Sequence, residues 1–116
     1  MIGIDIVSIE RIEKMYDRFG QKGLERFLLP QEIASASRME TLAGYWAAKE
    51  AIAKALKCGI GKELRFKDIE IYKEPGGAPN FRLLGGKEER FGIQERSLSI
   101  THDGGFAIAA AIILRR

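Results

Sequence analysis

Apolar and polar positions alternate at the start of the chain, where Ile2, Ile4 and Ile6 are interleaved with Gly3, Asp5 and Val7. A period of two predicts a short strand. The period lengthens after Ser8, a residue suited to capping a helix: Ile9, Ile12, Met15 or Tyr16, and Phe19 recur at helical spacing until Gly20 stops them. Two short helices are expected over residues 24–29 and 30–36, with Pro30 at a first-turn position where its missing N–H is no loss. The strongest helical signal runs from about residue 40 to 57, is rich in alanine, and ends at Cys58-Gly59. Its Ala43, Gly44, Ala47, Ala48, Ala51 and Ala55 are small enough for another element to pack closely against it. Residues 68–73 and 79–84 read as strands joined by the turn signal Pro75-Gly76-Gly77, hence a hairpin. A short helix over 87–91 follows, then strands over 96–101 and 105–114 around His102-Asp103-Gly104. One strand first, helices early and strands late predict an α+β domain over residues 1–116, with a mostly antiparallel sheet packed with one long and several short helices.

Composition adds limits. A chain of 116 residues that is 46% hydrophobic and 30% charged is ordinary globular material. A domain of this size leaves much of its surface in water, and small chains often gain burial by oligomerising. The single cysteine, Cys58, excludes an intrachain disulfide and a cysteine-based zinc cluster, and points to a reducing compartment. Residues 1–5 lack the basic start and long apolar stretch of a signal peptide, and the longest apolar run, 106–114, is too short to span a bilayer as a helix. The expectation is a soluble cytoplasmic protein without a membrane partner. The net charge of +3 suits an anionic ligand or an acidic protein partner. A nucleic-acid-binding domain would need exposed aromatics interleaved with cations, whereas Phe19, Trp46 and Phe66 fall in apolar patterns, so no nucleic-acid partner is expected.

Several residues have side chains that could carry chemistry. Asp5 interrupts an apolar strand, and carboxylates are seldom buried without a partner; it either caps or pairs locally or serves a site. Glu50 and Lys54 lie four apart on the alanine-rich helix and share a face, as a surface ion pair or as part of a site. Lys49 and Lys57 make that neighbourhood basic, which suits phosphate. Asp5 and Glu50 together match the two hard oxygen ligands that Mg²⁺ takes from protein, with phosphate and water completing its shell. His102 is the only histidine and cannot build a zinc site alone; beside Ser99 and Thr101 it is a turn residue or a phosphate contact. Arg11, Lys14 and Arg18 recur along the first helix next to Met15, either as a solvated basic face or as a docking surface for an acidic helix. The glycines form no phosphate loop or dinucleotide fingerprint, and no serine sits in a nucleophile elbow.

Together these segments resemble the holo-[acyl-carrier-protein] synthase family of 4′-phosphopantetheinyl transferases. Gly3-Ile4-Asp5-Ile6-Val7 followed by Ile9, Arg11 and Ile12 is similar to its N-terminal motif, and the run from Leu42 to Ala55, with Trp46, Lys49-Glu50-Ala51 and Lys54, resembles its central signature. Ser99-Ile100-Thr101-His102 before an alanine-rich strand is similar to its C-terminal motif; Phe27, Glu32, Gly59-Ile60-Gly61 and Asp68-Ile69-Glu70-Ile71 also match. The resemblance implies transfer of phosphopantetheine from coenzyme A to a serine of acyl carrier protein, for fatty acid synthesis. Asp5 and Glu50 would hold Mg²⁺ at the pyrophosphate, Lys54 would bind the pyrophosphate, and Glu50 or a metal-held water would take the serine proton. Thr101 and His102 would contact the nucleotide end with its 3′-phosphate. Arg11, and with it the face carrying Lys14, Met15 and Arg18, would meet the carrier protein. The resemblance further implies a homotrimer in which the His102 loop of one protomer completes the site of the next. Tyr45 stands where relatives often have arginine, a gap Arg38 is placed to fill, and Lys57-Cys58 replaces a more common Gly-Thr turn. The rival reading, a binding module without catalysis, is opposed by the joint presence of Asp5, Glu50 and Lys54.

Overall fold

The computed structural model describes residues Met1–Arg116. In chain order the elements are β1 (Ile2–Ser8), α1 (Ile9–Phe19), α2 (Gln21–Leu24), α3 (Pro30–Ser35), α4 (Met39–Ala55), a 3-10 turn at Phe66–Asp68, β2 (Ile69–Lys73), β3 (Pro79–Leu83), α5 (Lys87–Phe91), β4 (Ile93–Asp103) and β5 (Phe106–Arg115). The α+β class and the antiparallel pairing expected from the sequence are both present. β1, β5 and β4 form one antiparallel sheet in that order, and β2 and β3 form a separate hairpin. No helix is long and apolar enough to cross a membrane.

Local signals explain most boundaries. The Ser8 side chain accepts a hydrogen bond from the Arg11 backbone N–H at 3.1 Å, capping α1, and Gly20 ends that helix at φ +60°. The helix expected over 24–29 does not form: a helical turn occupies Gln21–Leu24 instead, and 25–27 is a tight turn. Leu24, Phe27 and Leu28 all reach the core from that turn, and Pro30 holds Leu29 in an extended conformation, which closes the helical route. β4 starts three residues earlier than expected, with a register shift between Ile93 and Glu95.

The layer that organises the molecule is α4 lying across the three-stranded sheet. Ala47, Ala48, Ala51 and Ala55 of the helix and Ala107, Ala109 and Ala111 of β5 are all buried. Contact is closest at Gly3, where a Cβ would lie 1.9 Å from the Ala51 carbonyl oxygen and 2.6 Å from the Ala55 nitrogen. At the other end of α4, a Cβ on Gly44 would lie 2.9 Å from Ile100 Cγ2 of β4. The helix therefore runs from above β4 to above β1, nearly backbone on backbone.

The strand β1 forms as expected, and its burial shows which of its two faces is inside. Its isoleucines do not make the core: Ile2, Ile4 and Ile6 point outward and are 71%, 62% and 58% exposed, beside the exposed Ile112, Leu114 and Phe106 of β5. Gly3, Asp5 and Val7 face α4. Asp5 thus does not interrupt the buried face; it stands on it, at the sheet edge.

A second correction concerns Lys49, expected to lend positive charge to a phosphate site. It is fully buried. Its ammonium donates to Glu32 Oε1 (2.8 Å), the Phe27 carbonyl (2.8 Å) and the Phe66 carbonyl (3.1 Å). Glu32 in turn accepts from the backbone N–H groups of Leu29 (2.7 Å) and Ile71 (2.8 Å). Burial pushes the Lys49 ammonium below the ordinary lysine range, and the Glu32 charge opposes that shift. One ion pair thereby ties the α2–α3 connection, α3, the 3-10 turn and β2 to α4. Replacing one partner leaves the other charge buried and unpaired, which costs about 3–5 kcal/mol. Lys49→Met should lose stability of that order in urea unfolding; a loss under about 1 kcal/mol, the scale of an exposed pair, would refute the hub role.

Candidate functional site

The helix α4 carries polar residues on two opposed faces. Glu50 and Lys54 share one and Thr41 and Tyr45 the other; Tyr45 and Lys54, nine residues apart, stand about half a turn out of phase and about 14 Å apart along the axis. Because α4 crosses the sheet, the first face emerges at the β1 edge and the second at the β4 edge.

At the β1 edge, the Lys54 ammonium donates to Asp5 Oδ1 (2.8 Å) and to the Ile4 carbonyl (3.1 Å). The local Glu50–Lys54 ion pair that spacing allowed is not formed; Lys54 reaches across to the strand instead. Glu50 is half-buried and makes no hydrogen bond or ion pair within the chain. Burial and then the negative charge of Asp5 push its carboxyl above the usual carboxylate range, against the pull of Lys54 and Arg11. This grouping holds two carboxylates of hard oxygen character and one ammonium. No set of three or more metal-binding side chains occurs in the chain. A donor set of two carboxylates does not suit a structural zinc, which wants four protein ligands. It does suit Mg²⁺, which is held by one or two carboxylates plus water and phosphate.

At the β4 edge, a cavity of about 190 Å³ opens between α4, the β2–β3 hairpin and β4. His102, Tyr45, Thr41, Glu40 and Lys73 line it. Thr101 is not beside His102 there. Successive strand residues point to opposite faces, and the pairing rows place His102 with Ala107 and Val7 on the α4 side, Thr101 with Ile108 and Ile6 on the outer side. Arg38 does not enter the cavity either: it precedes α4, pairs with Glu40 at 3.2 Å, and lies by Tyr16 and Met39 in a different depression. Lys57 takes a left-handed conformation, φ +65°, just after α4, where it turns the chain out of the helix.

On α1, Arg11, Lys14 and Arg18 are exposed and Met15 is half-buried against the core. Lys14 is tied to Glu10 at 2.8 Å, which leaves Arg11 and Arg18 without a carboxylate partner. The Arg11 guanidinium lies 5.0 Å from the centre of the Trp46 ring, and Trp46 packs against Phe27 and Phe66. Trp46 and Glu50 are one helical turn apart, so the basic face and the carboxylate pair adjoin across the indole.

Sequence reasoning passed over Gly3 as a contact point and Lys73 altogether. The signal for Lys73 was present: it continues the alternation of Ile69 and Ile71, whose side is buried, and so lies on the inward register of β2.

Comparison with known proteins places the chain in a family. Residues 1–111 match the model of the 4′-phosphopantetheinyl transferase superfamily. A holo-[acyl-carrier-protein] synthase of a Nitratiruptor species is 65% identical over 115 residues, covering 99% of both chains. The crystal structure of the Helicobacter pylori holo-[acyl-carrier-protein] synthase in complex with coenzyme A superposes with a TM-score of 0.95 at 54% identity, over 98% of this chain and 100% of that one. The Bacillus anthracis synthase in complex with CoA (3′,5′-ADP) gives 0.80 at 38% identity, over 97% and 93%.

The raised Glu50 carboxyl has a consequence for stability. A carboxyl that holds its proton more tightly when folded makes stability fall as pH rises from the ordinary carboxylate range through the raised value. With chelator present, Glu50→Gln should therefore melt at or above the wild-type temperature near about pH 7, and the difference should shrink toward about pH 4. A variant that melts well below wild type at neutral pH would show that the Glu50 charge stabilises the fold.

Proposed function

Because this chain belongs to the holo-[acyl-carrier-protein] synthase family of 4′-phosphopantetheinyl transferases, we propose that it moves phosphopantetheine from coenzyme A to a serine of apo acyl carrier protein. In this reading the reaction is Mg²⁺-dependent, releases adenosine 3′,5′-bisphosphate and activates the carrier for fatty acid synthesis. The observation that carries the proposal is the meeting of Asp5, Glu50 and Lys54 at the β1 edge, from residues far apart in sequence.

Asp5 and Glu50 would hold Mg²⁺, which when bound offsets negative charge on the pyrophosphate oxygens. Lys54 has three donors; Asp5 and the Ile4 carbonyl take two and fix its direction. The third is left for a phosphate oxygen, where it stabilises charge on the departing bisphosphate. The serine oxygen of the carrier forms a bond to the β-phosphorus as the bond to the bisphosphate oxygen breaks and that oxygen takes the electron pair. Glu50, or a water held at the metal, would take the serine proton. The nucleophile belongs to the carrier, so the chain needs no activated serine of its own. Arg11 and Arg18, free of carboxylate partners, face the acidic recognition helix of the carrier, with Met15 beside them as an adaptable apolar contact.

One coenzyme A molecule would have to touch both edges of the sheet, with its pyrophosphate at Asp5, Glu50 and Lys54 and its nucleotide end at His102. Within one chain the alanine layer and α4 stand between them. A homotrimer solves this by placing the His102 cavity of one protomer beside the carboxylate pair of the next. The exposed isoleucine ladder on the outer sheet face is the apolar surface such an assembly would bury.

Incubation with apo carrier protein, coenzyme A and Mg²⁺ should add a phosphopantetheine mass to the carrier, and Glu50→Gln should abolish the product while remaining folded. No adduct from the wild-type protein would end the transfer reading. Mixing Glu50→Gln protomers with His102→Ala protomers under subunit exchange should restore part of the activity. A mixture that stays inactive despite verified exchange would rule out a shared site.

A further inference from the structure

We propose that Lys73 is a specificity residue for the 3′-phosphate of coenzyme A, acting with His102 in the cavity at the β4 edge. This rests on the transfer reading above. The cavity volume of about 190 Å³ is below the roughly 300–1,000 Å³ usual for a whole ligand. It fits one end of an extended molecule.

The charge around the cavity favours an anion. Lys73 lies on the inward register of β2 after Ile69 and Ile71, at the hairpin end where it pairs with Pro79. It is exposed and has no carboxylate partner. Several neighbouring cations are engaged: Arg82 with Glu70 at 3.1 Å, Lys87 with Asp68, and Arg96 with Glu88. The neighbouring Glu74 carboxylate is occupied by the Asn80 amide at 3.3 Å. The one carboxylate lining the cavity, Glu40, is paired from outside with Arg38.

Arg38 thus acts indirectly: its ion pair offsets part of the Glu40 charge that would repel a phosphate, while Lys73 and the His102 imidazole supply the donors. Tyr45 is buried and offers a ring wall and a hydroxyl, not a charge. With no cation at position 45, the unpaired ammonium facing the same space comes from the hairpin. A lysine there contacts phosphate as a point charge on a flexible stem. It tolerates a ligand reached partly from a neighbouring protomer.

Steady-state transfer to apo carrier protein tests this with coenzyme A and with 3′-dephospho-coenzyme A. Losing one charge-assisted phosphate contact should raise KM about tenfold. Lys73→Met should show that rise for coenzyme A and leave KM for the dephospho analogue unchanged. Lys73→Arg should recover most of the affinity, and both variants should melt with the wild type. An equal rise for both coenzymes, or no rise for either, overturns the assignment. Wild-type protein that transfers nothing overturns the functional reading itself, so the two failures are distinguishable.

Discussion

The approach of β1 to α4 at Gly3 is the constraint on which the site depends. With a Cβ position only 1.9 Å from the Ala51 carbonyl, no side chain fits between strand and helix. The contact is continued by alanine on alanine along β5. Large side chains here would hold the layers near the usual sheet-to-helix separation and withdraw Asp5 from α4. As built, Asp5 is two residues along the strand from the contact, and its carboxylate reaches the Lys54 ammonium at 2.8 Å while adding to the burial that raises the proton affinity of Glu50. The reactive geometry is a by-product of small residues packing.

Lys49 and Glu50, adjacent on one helix, show two uses of charge. Lys49 is placed in the interior with every donor satisfied, and its partner Glu32 holds two backbone N–H groups besides. Such a network fixes which loops lie against the helix. Glu50, one residue on, points the other way and is left unpaired in a place that disfavours its charge. The first arrangement secures the fold; the second keeps a carboxylate in a state that only a cation or a proton relieves, as groups poised for chemistry often are.

Much of this was legible in the sequence. Ser8, Gly20, Pro30 and the alanine-rich run marked real boundaries, and the small-residue stripe correctly announced a close neighbour. What the sequence left open was the choice of face. Alternation reports that a strand has two sides but not which is inside, and the larger apolar residues of β1 point outward while glycine, aspartate and valine face the helix. The same parity separated Thr101 from His102, neighbours in sequence on opposite sides of the sheet. Lys49 looked like its exposed neighbours because its buried partner, Glu32, lies seventeen residues away across the fold. Spacing along a helix suggested a Glu50–Lys54 pair, but a strand carboxylate closer in space won the ammonium.

The pairing of β1 with β5 also governs how the chain reaches its native state. Ile4 pairs with Ala110 and Ile6 with Ile108, so the central ladder joins segments about a hundred residues apart. Contacts of such long sequence separation are slow to form, because the intervening loop must close before they give any return. During synthesis, β1 emerges long before the strand that completes it. Through that interval the backbone edge that β5 will pair has no strand beside it, a state prone to mispairing and aggregation. The strand that carries Asp5 thus gains its ladder partner only when the last strand is made, although α4, the other half of its packing, is available much earlier.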